Sequence, residues 1–340
     1  MAGTESVTRT ENHFLRLYCA VILMFICYTH FYPEIMVGDI DLNRLIMGMG
    51  RFAIPIFFLI SGYFTFSSDG HSERNLKKKT LHILLLIAVL KLFYLLLDLI
   101  YLGAGIVDTD YVITAFITAE PTTMHAWFVY SLFLVYAFWL ILYHYGIDFK
   151  WTWPLGIAVL IVDLLLTEIL PLFGMDTMEM GTFSYPFISL PFFTIGYYLH
   201  KHKDTVLHAV PRWGLCTIMI IGIIISYFET VHLMLHCGQN ECNLSIATVA
   251  VALTSFILTF TLREDQLRCR PLEWMGRNLM AWMYTFFPAA IFFLQKVVLT
   301  PYIDDFLIWD VCGPFMAIAL QILMALAVYL ILRKVLMKKA

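Results

Sequence analysis

"GRFAIPIFFLISGYF", residues 50–64, decides how this chain is read. Nearly every position is apolar, yet the stretch carries Arg51 near its start, then Pro55, then Ser61-Gly62-Tyr63. A charge at the centre of a bilayer costs at least about 2.5–3.5 kcal/mol. An arginine, a proline and a small polar pair therefore each need a reason to stand in a membrane helix. Proline fits a first helical turn, where amides lack intrahelical partners. That places Pro55 in the opening turns of a helix beginning at Arg51. Ser61 and Gly62 allow close helix approach or a polar contact, and alone they read as a packing seam.

The remainder of the chain supports a membrane setting. Of 340 residues, 61% are hydrophobic and 14% charged, against roughly 45–50% and about 25% in soluble domains. A hydrocarbon core about 30 Å thick needs roughly 20 apolar residues in helix. Segments 14–33, 51–68, 80–102, 126–144, 152–173, 184–200, 213–235, 244–262, 279–299 and 310–332 meet that need. Lipid leaves no partner for open backbone, so they must be helices. The short alternating segments of a membrane β-barrel are absent. The expected fold is all-α: a polytopic membrane protein of about ten transmembrane helices. It forms one integral-membrane domain over 1–340, with a polar cytoplasmic N-terminus at 1–13. The first apolar run has no A-x-A-like cleavage site and reads as a retained helix. No internal repeat is visible, and the unusual segments crowd the first half, which disfavours a transporter of paired halves.

Lysine and arginine set the orientation. With the N-terminus inside, eighteen of the twenty-two fall on the inner side; the exceptions are Arg44, Arg51, Lys91 and Lys296. The outer loops carry Asp39, Asp41, Asp108, Asp110, Asp176, Glu179, Asp304 and Asp305 instead. Both termini are thus expected in the cytoplasm, in a multi-pass protein of the inner or plasma membrane. A net charge of −3 without a basic motif gives no reason to expect nucleic acid, and no His/Cys cluster has metal-site spacing. Cys237 and Cys242 in "HCGQNEC" fall in an outer loop, as a disulfide or as two free thiols. The "NLS" at Asn243 fits a glycosylation sequon there.

Several ionisable residues fall within the spans. Arg16 and His30 lie fourteen residues apart on the first helix, within about 40° of one face and about 21 Å along the axis. By themselves they read as a positive-inside anchor and an interfacial histidine. Lys91 and Asp98 share a face of the third span, either pairing between helices or lining a wet cavity. Asp163, Glu168, Glu229 and His232 fall in later spans. His125 precedes "AWFVYSLFLVY" at the outer start of the fourth, where alone it is an interfacial histidine beside a belt tryptophan.

Together these features resemble acyltransferase family 3, the integral-membrane O-acyltransferases that include the enterobacterial common antigen and O-antigen O-acetyltransferases. "RFAIPIFFLISGYF" is similar to that family's R-x-x-x-P-x-F-F-x-x-S-G-Y hallmark. "FLRLYCAVILMFICYTHF" resembles its Arg…His helix, and "HAWFVYSLFLVY" its H-x-W-F motif. "PFFTIGYY" (Phe192, Phe193, Gly196, Tyr197) and "MGRNLMAWMY" are weaker echoes. Two departures stand out. The family usually leaves about ten residues between that Arg and His and this chain leaves thirteen, although both spacings keep the pair on one helical face. The family's late segment often ends in histidine, where this chain has Phe286, Phe287 and Pro288.

The resemblance implies transfer of an acyl group, commonly acetyl, from cytoplasmic acyl-CoA to a sugar hydroxyl outside or at the membrane. Acetyl-CoA would be the donor substrate, a glycan the acceptor, and no metal is implied. On that reading His30 is the general base or a transient acyl carrier, since an imidazole titrates near working pH. Arg51 stabilises the oxyanion or fixes the donor. Ser61 contributes a donor hydroxyl, and His125 orients acceptor or base. Arg16 would meet the CoA phosphates, with Lys77, Lys78 and Lys79, or Lys201 and Lys203, assisting. A homodimer is compatible with the sequence. A transporter or flippase for a glycan or related solute is the alternative, and a bundle whose charges merely pair helices is a second one.

Overall fold

A computed structural model describes residues 13–31, 35–65, 73–102, 107, 109–117, 127–147, 149–173, 175, 187–236, 244–262, 268–295 and 307–337. Within that range, each of the ten apolar segments carries helix. The helices are α1 (His13–Thr29), α2 (Leu42–Met49), α3 (Ala53–Thr65), α4 (Glu73–Leu102), α5 (Thr109–Ile117) and α6 (Trp127–His144). There follow α7 (Thr152–Leu164), α8 (Leu170–Leu172), α9 (Ser189–Lys201), α10 (Lys203–Ala209) and α11 (Arg212–His236). The last are α12 (Ile246–Thr261), α13 (Arg270–Asn278), α14 (Met280–Phe293) and α15 (Leu307–Met337). A two-residue antiparallel hairpin, β1 (Met36–Val37) with β2 (Ile40–Asp41), precedes α2.

Among the described residues, six helical runs are long and apolar enough to cross a membrane: Leu42–Thr65, Glu73–Ile100, Trp127–His144, Phe149–Leu172, Arg212–Leu235 and Val311–Lys334. Helices α1, α12 and α14 are apolar but shorter. The chain is an all-α, multi-pass membrane protein. Helix α4 shows why: Leu81, Leu84, Leu85, Leu92, Leu96 and Leu99 are all exposed. Such a stripe on a helix long enough to cross a bilayer suits contact with lipid.

The chain divides into two compact units, Met1–Phe31 with Ser255–Ala340 and Tyr32–Thr254. In the first, α1 packs on α13, α14 and α15, and α14 packs on α15. In the second, α3 lies along α9, α4 along α6, α7 along α9, and α2 along α11. The α3–α9 pair sets the core of this unit. Gly62 lies so close to the Phe193 carbonyl, and Gly196 to the Leu59 carbonyl, that a β-carbon on either would collide with the facing backbone. Small residues at a seam let backbones approach in this way. Trp139 on α6 closes the seam against Phe193 and Tyr197.

One expectation is corrected here. Arg51 does not begin its helix. Asp41 caps α2 by accepting the amides of Asn43 (2.9 Å) and Arg44 (3.4 Å), and it also pairs with the Arg44 guanidinium at 3.2 Å. A 3₁₀ turn, Gly50–Phe52, then joins α2 to α3. Hydropathy points to the arginine as the start and carries no signal for Asp41 as a cap. Pro55 still explains a local feature, because it has no N–H to offer the Arg51 carbonyl four residues back. The tighter i→i+3 geometry falls beside that missing bond, with the Ala53 amide on the Gly50 carbonyl.

The other intramembrane charges sit in packed surroundings. Lys91 is 2% exposed, with Nζ 5.6 Å from the centre of the Tyr130 ring. Asp98 accepts from the Tyr111 hydroxyl at 3.0 Å. Glu168, on a π-turn spanning Leu165–Ile169, accepts the Ile246 amide at 2.9 Å and so caps α12 from outside. Ser245 and Thr248 complete that cap by accepting each other's amides.

Candidate functional site

In the first unit, α1 carries both ends of the expected Arg…His pair. Arg16 lies in its first turn. His30 follows its last residue and continues the ladder, its amide bonding the Ile26 carbonyl at 3.1 Å. The imidazole Nδ1 lies 2.8 Å from the same carbonyl oxygen. A carbonyl only accepts, so the proton is on Nδ1, and in the neutral ring the basic lone pair is on Nε2. The ring is braced edge-on by Phe287 of α14, with centroids 5.4 Å apart. Just beyond it, the Phe31 carbonyl accepts from Gln295 Nε2 at 2.7 Å. The Nδ1 contact with the Ile26 carbonyl and the edge-on Phe287 ring orient this imidazole, while the backbone bonds of His30 and Phe31 fix the chain that carries it. That is what a proton acceptor requires.

At the other end of α1, Gly276 of α13 abuts the Arg16 carbonyl so closely that no side chain fits there. His13 Nδ1 and Glu273, also of α13, are 3.3 Å apart. The "MGRN" stretch thus has a structural task, seating α13 on the first turn of α1 and fixing where the Arg16 side chain departs.

In the second unit, Arg51 is half-buried and its Nε is shielded from solvent. Ser61 belongs to a hydroxyl cluster that the sequence did not reveal. Thr65 donates to the Ser61 carbonyl one turn back, and its oxygen lies 3.2 Å from the Tyr136 hydroxyl. The Tyr136 hydroxyl also bonds the Ser61 side chain. Tyr136 lies seventy-one positions beyond Thr65, a separation that no local motif reveals. Tyr136→Phe should cost about 1 kcal/mol of stability, the usual net worth of such a bond, and a lowered melting temperature in detergent would register it. An unchanged Tm would mean the cluster carries no such bond.

The three lysines expected at the donor phosphates open α4. Lys77 pairs with Glu73 at 2.5 Å, Lys78 is exposed, and Lys79 Nζ donates to the Phe64 carbonyl at 3.0 Å. Lys79 thereby ties α4 to the end of the hallmark helix. His125, Cys237, Cys242 and Asn243 lie outside the described residues. His30 and Arg16 belong to one unit, Arg51, Ser61 and the lysines to the other. Among the described residues, no three His, Cys, Asp or Glu side chains cluster as metal ligands would.

No curated protein and no solved structure matches the chain. A family model does, described as an acyltransferase domain, and it aligns with residues 13–333. That range takes in α1 with Arg16 and His30, the hallmark helix with Arg51 and Ser61, and the other helices, with α15 covered up to residue 333. By that match the chain belongs to acyltransferase family 3 and is a membrane acyltransferase.

Proposed function

We propose that the protein moves an acyl group, in the simplest case acetyl, from cytoplasmic acyl-CoA to a hydroxyl of an extracytoplasmic or membrane-associated glycan. The cell membrane is its place of work. The observation that carries this reading is the 2.8 Å contact of His30 Nδ1 with the Ile26 carbonyl, an acceptor, which assigns the ring proton to Nδ1 and the basic lone pair of the neutral ring to Nε2. A sugar hydroxyl is far too weak an acid to ionise near neutral pH. His30 Nε2 accepts its proton as the oxygen attacks the thioester carbonyl. Arg51 meets the charge that develops on the carbonyl oxygen. The C–S bond then breaks, and the imidazolium returns the proton to the departing CoA thiolate. Ser61 and His125 orient the reactants. Arg16 and the Lys77–Lys79 run serve the donor phosphates.

The test uses purified protein in nanodiscs, acetyl-CoA labelled in the acetyl group and a glycan acceptor. Label moving to the acceptor, with free thiol released in step, supports acyl transfer. Passage of acceptor across a sealed vesicle without thioester consumption would favour the flippase alternative. One variant probes the donor end. Arg16→Ala should raise the KM for acyl-CoA about tenfold or more and leave kcat nearly unchanged, because a charged hydrogen bond contributes roughly 1.5–3 kcal/mol. An unchanged KM would remove Arg16 from donor binding.

A further inference from the structure

At one end of the Phe149–Leu172 span, the second unit contains a hollow of about 350 Å³. It is lined by Trp153, Ile195, Tyr198, Leu199, His202 and Val206. Its aromatic wall is ordered. Trp153 meets Tyr198 edge-on at 4.9 Å, and the Tyr198 and His202 rings are parallel within 3°. Tyr198 is held from behind, its hydroxyl donating to the Phe149 carbonyl at 3.2 Å.

The rim is cationic. Lys201 Nζ lies 6.0 Å from the centre of the Tyr198 ring, and Lys150 Nζ lies 6.0 Å from that of Trp151. Lys203 follows His202 directly at the start of α10. Lys150, Lys201 and Lys203 are all exposed. Among the described residues of these segments, Asp204 is the acidic neighbour, one carboxylate against three lysines. Nothing in the acyl-transfer reading uses the hollow itself.

The chemistry and the depth point the same way. The span begins at Phe149 and α9 ends at Lys201, with Tyr198 bonded to the Phe149 carbonyl, so the mouth lies at a helix end. Helix ends carrying Trp, Tyr and Lys sit at headgroup level. A nucleotide base would need hydrogen-bonding groups in the walls. The lining surface here is almost wholly aliphatic and ring carbon, the Tyr198 hydroxyl is already occupied, and the Trp153 and His202 ring nitrogens are its other polar atoms. An acyl chain against Ile195, Leu199 and Val206, with a phosphate among the three lysines, matches both halves. We propose that this hollow is a binding site for an anionic phospholipid, chain inside and headgroup on Lys150, Lys201 and Lys203. It gives Lys201 and Lys203 to a lipid headgroup and leaves the donor phosphates to Arg16 and the Lys77–Lys79 run.

The test is photolabelling in phosphatidylcholine nanodiscs, using phosphatidylglycerol with a photoactivatable acyl chain, followed by peptide mapping. Label is expected in the 195–206 segment, and unlabelled phosphatidylglycerol should compete it away. Photoactivatable phosphatidylcholine should label there at least about tenfold less. The triple variant K150Q/K201Q/K203Q should lower phosphatidylglycerol labelling at least about tenfold, since each basic side chain near an anionic surface contributes a factor of about five. The R333Q/K334Q double variant, on exposed residues of α15, should not lower it. Equal labelling by the two lipids would overturn the proposal, and so would an unaffected triple variant. Displacement by coenzyme A instead would assign the hollow to a nucleotide and overturn it as well. The lipid comparison and the competition use wild-type protein, so a misfolded triple variant would not shield the idea.

Discussion

Replacing His30 with Gln is expected to lower kcat about 10²–10⁴-fold, the usual contribution of a positioned general base. The KM for acyl-CoA should stay within a few-fold, because the donor phosphates are assigned to Arg16 and the Lys77–Lys79 run and not to His30. Glutamine approximates the imidazole in size and keeps a polar, uncharged side chain. What it lacks is the basic lone pair of Nε2. His30→Ala is the harsher variant: it also leaves a void beside Phe287, and its loss of activity must be read beside its melting temperature. A folded His30→Gln protein with wild-type turnover would exclude the residue from the chemistry. A variant that loses stability and activity in proportion would make it a packing histidine.

The second large effect concerns folding. Gly62→Val is expected to abolish recovery of a monodisperse, folded protein, and Gly196→Val to do the same. In each case the new Cβ meets a facing backbone carbonyl, Phe193 or Leu59. Overpacking usually costs about 1–3 kcal/mol when side chains can adjust. Here only helix separation gives relief, and separating α3 from α9 undoes the core of the unit, so the cost should exceed about 3 kcal/mol. Gly214 supplies the contrast. A methyl added there would find Val210 Cγ1 as its nearest atom, at 3.4 Å, so Gly214→Ala should be tolerated and even favoured by helix propensity. Size-exclusion profiles of the three variants decide the matter. Intact Gly62→Val protein would show that the two helices are not in backbone contact.

These outcomes bear on what the sequence made legible. Hydropathy placed helix on all ten apolar segments because spacing and lipid solvation act locally along the chain. It misjudged the start of the hallmark helix. Asp41 acts as a cap through its side-chain contacts with Asn43 and Arg44, a signal outside a hydropathy window. The Ser61-Gly62 seam was readable as a close approach, but its partner was not: the reciprocal Gly196 lies 134 positions away. Gly276 against Arg16 and Tyr136 against Ser61 are hidden for the same reason. Each joins residues that only tertiary packing brings together. The weaker echoes of the family motif, "PFFTIGYY" and "MGRNLMAWMY", prove to contain the two glycines on which α3 and α1 rest. Part of the family signature in this chain therefore encodes helix spacing. Arg16, His30, Arg51 and Ser61 remain the residues offered to the chemistry.

The central claim is that a histidine-based acyl transfer from acyl-CoA takes place in this chain, and one measurement addresses it most directly. Purified wild-type and His30→Gln proteins, matched for folded fraction in nanodiscs, are each given acetyl-CoA with a carbon label in the acetyl group and a polysaccharide acceptor. Acceptor mass and free thiol are followed together. The account predicts labelled acetyl on the acceptor, one thiol released for each acetyl gained, with wild-type protein, and at least about a hundredfold slower with His30→Gln. Equal acetylation by both proteins, or thiol release by neither, would contradict it.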